Sequence, residues 1–587
     1  MTGHRPALGA PEDSIRRRLG MLVSRAVADV GCADALANLH VRDAGLVPPK
    51  HAHHGDFSTP IALALAKACR QNPRELAQRV VAALGLAGGL LASAEVAGPG
   101  HVNCTVAEAE LRRVGLSAAI RGRAMLESNA GGGERVLVEF VSANPTGPLH
   151  VAHGRGAVHG DVSARLLTAA GWQVTREYYV NDLGNQADVL AQSVWAHLRA
   201  LRGAPFVAPD EFYPGEYVEE LAAQLLAEQP DLGLRADGGE AADALLQVRL
   251  RATAGMLARI RRDLERLNVP FDRWVSEREL TAALDMPALI ARLERAGHAY
   301  REDGKLWFRT TAFGDDKDRV LVREDGRPTY FFSDVGYHDD KMRRGYGKLV
   351  NLWGADHAGY LARVKAGLAA LGHDPGRLEV DFIQMVSLTR GGQSVKMGKR
   401  LGTAVWLEDV IAEAGRDATR YLFLLRRLDA QMEFDVELAS RRSLDNPVYY
   451  AQMGHARLRA IERRAEAEGV ALGAADTFVE ADLAALKLPE ELDLLRAMAR
   501  APDVVADAAR SREPHAVAAF VQELIAQFHS YYSRYKRDER VVSADPDKTR
   551  ARLLLCRGLA NLLEGLLHLL GVEAPARMDD LTAADPG

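Results

Sequence analysis

The sequence predicts an α/β protein. A doubly wound parallel sheet is split by a helical insertion, with an α+β unit before it and an all-α bundle after it. Three observations carry that prediction. Short apolar runs alternate with helix-period segments through the middle of the chain. A stretch near residues 195–310 reads as mostly helical and interrupts them. From about residue 446, Ala, Leu, Arg and Glu recur at helical spacing to the end. The 587 residues suit about three or four domains, and we divide them at 1–115, 116–445 and 446–587.

In chain order, "IALALAKACRQNPRELAQRVVAALGL" reads as helix, turn, helix, with Asn72 and Pro73 as the break. "AEVAGPGHVNCTVAEAELRR" reads as a strand after a Gly-Pro-Gly turn, then a helix. "GGG" at 131–133 reads as a hinge. "RVLVEFV" is a short buried strand, a helix follows to about Ala170, and "WQVTREYYV" is a second strand. "GMLARIRRDLERLNV" and "MPALIARLERAGHAY" belong to the insertion. "KLVNLWG" and "EVDFIQMVSLT" bring the strands back.

Composition narrows the function classes. The chain is 48% hydrophobic and 26% charged, an ordinary globular balance. No run reaches the roughly 18 apolar residues of a membrane span, and the start lacks a signal-peptide core, so a cytoplasmic protein is expected. A net charge of -5 argues against a general nucleic-acid coat but leaves room for a shaped local RNA site. The four cysteines are scattered and none is spaced C-x-x-C. Buried reduced thiols are expected in place of a zinc site or a disulfide framework.

The segment "LVEFVSANPTGPLHVAHGRGAVHGD", residues 137–161, carries the first candidate site. His150 and His153 lie three apart on a first helical turn and so share a side. Free backbone N–H groups and the helix dipole favour an anion there. Taken alone, such a pair is more often a capping and packing pair. In this setting, after a strand and before Gly154, it resembles the H-x-G-H signature of class I aminoacyl-tRNA synthetases, whose histidines hold ATP phosphates. Ala152 stands where that signature usually has glycine.

"GGQSVKMGKRLG", residues 391–402, is a Gly-flanked basic loop. By itself it reads as a solvated loop. It resembles the class I K-M-S-K-S loop, with Lys396 and Lys399 as clamps for a triphosphate and with Gly398 and Arg400 as departures. "LWGADHAGY" resembles the segment near the adenosine, with Gly354, Asp356 and His357 as candidates; alone it reads equally as a strand-end turn. The resemblance adds Gly154 and Met397 to the ATP contacts.

Glu139 sits inside an apolar strand, where a carboxylate is expensive unless paired. A structural salt bridge is one reading and a cationic substrate the other. Asp334 supplies a second carboxylate four residues after Tyr330, and a planar guanidinium suits such a fork. Ser142 and Asn144 lie on the turn where an α-amino group would bind.

Over nearly its full length the chain resembles the bacterial-type arginyl-tRNA synthetases. The carrying segments are "VEFVSANPTGPLHVAHGR", "EYYVNDLGNQ", "YPGEY", "WGADHAGYLARVKAGLAALG", "VKMGKRLGTAVWLEDVIAEAGRDATRYLFLLRR" and "NPVYYAQMGHARL". The resemblance implies a class I Rossmann-like catalytic domain, an N-terminal domain touching the outer corner of the tRNA, and a C-terminal anticodon-binding bundle. It implies arginine contacts at Glu139, Ser142, Asn144, His150, Tyr330 and Asp334. It implies catalysis around His150, His153, Lys396 and Lys399. ATP as substrate, Mg²⁺, L-arginine and tRNA-Arg follow from it, in a monomer with no membrane or DNA partner and no protein-held metal. Tyr449, Tyr450 and Arg457 open the basic, aromatic stripe expected to face tRNA, although tyrosines buried in a bundle would look the same. Two other readings remain: a non-catalytic tRNA-binding paralogue, and a class I synthetase for another amino acid.

Overall fold

The computed structural model describes residues 14–39, 41–49, 51–395 and 405–579. Five parallel strands form the central sheet: β1 (Arg135–Glu139), β2 (Gln173–Val180), β3 (Arg273–Ser276), β4 (Lys348–Gly354) and β5 (Leu378–Ile383). Their spatial order is β5-β4-β1-β2-β3. Parallel strands need long crossovers, which helices supply. β1 leads into helix α1 (Val151–Ala169), and helix α2 (Tyr330–Arg343) precedes β4. The chain winds one way from β1 to β3, then returns to the other side of β1 as β4. That reversal opens a crevice at the carboxyl ends of β1 and β4, where open parallel sheets bind ligands.

β1 is apolar on both faces because both are covered: Val136, Leu137, Val138 and the following Phe140 are fully buried. α1 lies close against this strand because a Cβ on Gly160 would come within 2.3 Å of Phe140 Cγ, so only hydrogen fits there.

The insertion differs from its outline. Helices Asn185–Leu201, Glu216–Glu228 and Ala244–Arg266 do pack around their own apolar core. Arg273–Ser276, inside the predicted helical stretch, is instead the edge strand of the central sheet. Ala299–Glu302 and Lys305–Phe308 join Arg319–Val322 in a small antiparallel sheet. Each of these strands has four residues, too few to show a period of two beside strong helical neighbours. "EVDFIQMVSLT" likewise makes two strands. β5 ends at Ile383, Gln384 turns away with its N–H on Leu428 O (3.0 Å), and Val386–Arg390 joins a second small sheet. The glycines at 131–133 form a fastened turn and not a hinge. Gly131 N–H donates to Ala170 O (2.8 Å) and Gly133 N–H to Gly171 O (2.9 Å).

The expectation of reduced thiols is corrected at one pair. Cys32 and Cys69 are joined by a disulfide, 37 residues apart, a spacing with no sequence signature. Cys104 and Cys556 are buried free thiols, and burial pushes Cys104 up to about 12.

α3 (Leu407–Ala414) follows the basic loop, and the C-terminal bundle holds α4 (Pro447–Ala467), α5 (Pro489–Ser511), α6 (Pro514–Tyr535) and α7 (Pro546–Leu569). All four bundle helices begin on proline, whose missing N–H costs nothing at a first turn. The helix Glu108–Arg121, in which residue 115 falls, docks on this bundle. Gly115 and Gly558 allow the close crossing, and Asn561 Nδ2 donates to Ala118 O (3.2 Å) and Ala119 O (3.1 Å). Among the described residues no helix is long and apolar enough to cross a membrane.

Candidate active site

The two histidines stand at the mouth of α1. His150 is its N-cap residue in extended conformation, and His153 is the third helical residue. Their rings stack at 3.6 Å between centroids, and His150 N–H donates to His153 Nδ1 (3.3 Å). The turn is pinned from the other end of the domain. Leu407 N–H donates to Leu149 O (2.7 Å), and Trp406 forms an isolated bridge with His150. Gly154 leaves room for this contact, since a Cβ there would meet Leu407 Cδ1 at 2.5 Å. Ala152 is half-buried and its methyl packs against the core.

Lys396, Met397 and Lys399 lie outside the described residues, with Gly398 and Arg400. The chain on both sides is defined. Val386–Arg390 and Gln393–Val395 form a hairpin turned by Gly391 and Gly392, whose φ values of 56° and 78° favour glycine. Trp406, beyond the loop, lies beside His150.

Glu139 ends β1, opposite Asn351 of β4. Its side chain is 8% exposed, and both oxygens are engaged: Lys341 Nζ donates to Oε2, and Ser142 Oγ donates to Oε1 (2.9 Å). Ser142 Oγ also accepts from Tyr179 N–H (3.1 Å). Val141 and Ser142 adopt φ of 66° and 41°, a strained left-handed pair of a kind that clusters at functional sites. Asn144 Nδ2 donates to Gln186 Oε1 (2.5 Å).

Tyr330 and Asp334 share a face of α2, one turn apart. The exposed Tyr330 reaches the Gly184 turn, where an added Cβ would lie 2.6 Å from its hydroxyl. Asp334 Oδ2 accepts from Tyr360 Oη (2.6 Å). Burial first, then the charge of Glu139, pushes Asp334 up to about 6 against these favourable contacts. Glu277, just after β3, is pushed up to about 7 by burial and by the charge of Asp334. Three carboxylates therefore share one electrostatic field around the crevice. Gly354 caps β4, followed by the exposed side chains of Asp356 and His357, which approach each other at 3.6 Å.

Sequence reasoning missed Glu277, Lys341, Asn351 and Tyr360. Tyr360 lay within a quoted segment. Lys341, in "YHDDKMRR", looked like part of a solvated charge run although its side chain is fully buried. Glu277 follows a four-residue strand that gave no signal.

In the bundle, Tyr449, Tyr450 and Arg457 sit half-buried on α4. Tyr450 packs edge-on against His529 (4.9 Å), and Arg457 lies 5.8 Å over the Tyr532 ring. A cavity of about 400 Å³ opens further along, lined among others by Arg464, Tyr532, Tyr535, Lys536 and Arg540. It unites the end of α4 with the aromatic stripe "FHSYYSRYKRDERV".

The model for the catalytic domain of class I (R) tRNA synthetases matches residues 116–202 and 244–458, and class I tRNA synthetase is the class that the switch-point crevice and its histidine turn define. The arginyl tRNA synthetase N-terminal domain matches 18–106, and the DALR anticodon binding domain matches 451–578. The arginine–tRNA ligase of Syntrophotalea carbinolica is 43% identical over 96% of this chain and 100% of its own, and that of Anaeromyxobacter sp. (strain K) is 45% identical over 92% and 94%. The chain belongs to the arginyl-tRNA synthetase family. The Thermus thermophilus arginyl-tRNA synthetase structure superposes with a TM-score of 0.74 over 96% of this chain and 100% of that one; at 23% identity it speaks for the fold alone.

Proposed function

We propose that the chain attaches L-arginine to tRNA-Arg in two steps. In the first, an oxygen of the arginine carboxylate attacks the α-phosphorus of ATP. The bond to the bridging oxygen breaks, giving arginyl-adenylate and pyrophosphate. In the second, the 2′-hydroxyl of the terminal tRNA adenosine attacks the activated carbonyl and AMP leaves. The observation that carries this reading is the trio of carboxylates Glu139, Asp334 and Glu277 beside the stacked histidine turn, at one end of one sheet.

The residues divide the labour. His150 and His153, with the N–H groups of the first turn of α1, face developing phosphate charge, and Lys396 and Lys399 close on the triphosphate from the loop. Gly154, Gly354, Asp356, His357 and Met397 complete the nucleotide contacts. Asp334, Tyr330 and Glu277 hold the guanidinium, while Ser142, Asn144 and His150 sit toward the α-amino and carboxylate end and Glu139 lies between. Catalysis comes from positioning and charge, without a protein nucleophile. Mg²⁺ would enter with ATP and neutralise part of the triphosphate charge. Residues 1–115 and 446–587 serve as tRNA-contacting domains around the catalytic unit 116–445. Tyr449, Tyr450 and Arg457, together with the aromatic cavity at the end of α4, present stacking faces and cations to the anticodon side. The protein works as a cytoplasmic monomer.

The test is ATP–pyrophosphate exchange with arginine, run with and without tRNA-Arg. Arginine-dependent exchange supports the two-step reading; the family resemblance implies that it requires bound tRNA, and exchange without tRNA would remove only that coupling. No exchange from a folded protein that still binds tRNA would favour a paralogue in which Ala152 and Gly398 have abolished activation. Exchange with another amino acid in place of arginine would refute the substrate.

A further inference from the structure

We propose that Lys341 is a positioning residue of the arginine site: its buried ammonium holds the Glu139 carboxylate aimed at the crevice, and arginine affinity depends on it. The inference rests on the arginine reading above and adds a residue that does not itself touch substrate.

Lys341 lies on α2 seven residues after Asp334, two turns along the same face. Its side chain has no exposure to solvent. Nζ donates to Glu139 Oε2 and Asn351 Oδ1 (3.3 Å) and sits 4.2 Å over the Tyr337 ring. Asn351 Nδ2 is in turn 3.0 Å from His338 Nε2, and His338 Nδ1 is 2.8 Å from the backbone oxygen of Asp334. A continuous chain of polar contacts therefore runs from the Asp334 backbone oxygen through His338, Asn351 and Lys341 to the Glu139 carboxylate.

A buried carboxylate next to another, without a cation, takes up a proton or turns away. Glu139 faces the charge of Asp334, and Lys341 is the cation in contact with it. With Lys341 on Oε2 and Ser142 on Oε1, the carboxylate plane is fixed from two sides. For stability alone, a packed apolar pair would serve as well as a buried ion pair. A carboxylate fixed in direction at the open end of β1 is what the pair adds.

The test is arginine-dependent ATP–pyrophosphate exchange in the full-length enzyme with tRNA-Arg. Lys341→Met is made alone and on a Glu139→Gln background. The expected result is an arginine KM raised about ten-fold or more by Lys341→Met, with the ATP KM held within about two-fold. On the Glu139→Gln background the same change adds less than about three-fold, because the group it positions is gone. An unchanged arginine KM, equal rises in both backgrounds, or arginine and ATP KM rising together would each overturn the proposal. Should Lys341→Met alone fail to fold, Glu139→Gln/Lys341→Met removes both buried charges, and its arginine KM is compared with that of Glu139→Gln. A difference of less than about three-fold supports the proposal and a larger rise overturns it. A wild-type enzyme without arginine-dependent exchange would overturn the arginine reading itself, a result distinct from any variant effect.

Discussion

Lowering the pH from 8 to 6 should weaken arginine binding well before the fold is affected. The cause is the carboxylate cluster: Asp334 titrates at about 6 and Glu277 at about 7, both raised mainly by burial. The groups facing them are Glu139, Asp182, Tyr179, Tyr360, Lys341 and His357. A guanidinium binds the ionised forms, so arginine must displace any proton the cluster holds. At pH 8 the two groups are about 99% and about 90% ionised; at pH 6, about 50% and about 9%. If only Asp334 contacts the substrate, arginine Kd rises about two-fold across that range. If both must be ionised, it rises about twenty-fold. Calorimetric titration of arginine into the enzyme, in two buffers of different ionisation enthalpy at pH 6.5, counts the protons released. Release of about a quarter of a proton, if Asp334 alone contacts the substrate, up to about one proton, if both groups do, supports the cluster as the guanidinium site. No release, with a pH-independent Kd, would refute it. The stability sign is opposite to that of ordinary paired carboxylates. Both pKa values are raised, so the contribution to folding is complete below the usual carboxylate range and is lost as pH climbs through about 6 and about 7. Arginine should therefore raise the melting temperature more at pH 8 than at pH 6.

Four further outcomes are expected. His153→Ala and Lys399→Ala should each slow pyrophosphate exchange about a hundred-fold or more while leaving the melting temperature within about two degrees of wild type, checked by scanning calorimetry. Asp334→Asn should raise the arginine KM about ten-fold or more and leave that of ATP alone; an unchanged arginine KM with lowered thermal stability would mark Asp334 as a structural residue. Gly160→Ala should cost about 1–3 kcal/mol or more in urea unfolding, because the new methyl would overlap the Phe140 ring. Under denaturing, non-reducing conditions two thiols should react with an alkylating agent, rising to four after reduction, since Cys32 and Cys69 are bonded.

The parts of the fold legible in the sequence were those with a repeated local signal. β1, α1 and β2 follow each other with clear changes of period, and the bundle helices are long and start on Asn-Pro, Leu-Pro, Glu-Pro and Asp-Pro steps. β3 was invisible because four residues at a sheet edge, half-buried, carry almost no pattern. The candidate site was legible wherever chemistry is written as a short motif, as at His150 and His153. It was illegible where the environment makes the chemistry. Lys341 is an ordinary lysine in a charged run until α2 turns it inward against Glu139, and Glu277 becomes unusual only through burial beside Asp334. Cys32 and Cys69 were read as reduced because pairing depends on helix placement and not on spacing.

The docking of Glu108–Arg121 onto α7 sets a schedule for synthesis. Ala118 and Asn561 are 443 residues apart, yet they share a hydrogen bond at the closest crossing of the two helices. At about 5–20 residues per second, the ribosome takes roughly 20–90 seconds between them. Until the bundle is made, the face of the early helix that holds Leu111, Ala118 and Ala119 lacks its folded partners, which arrive first with α5 and then with α7. The nascent chain thus carries an open seam until α5 and then α7 emerge to close it.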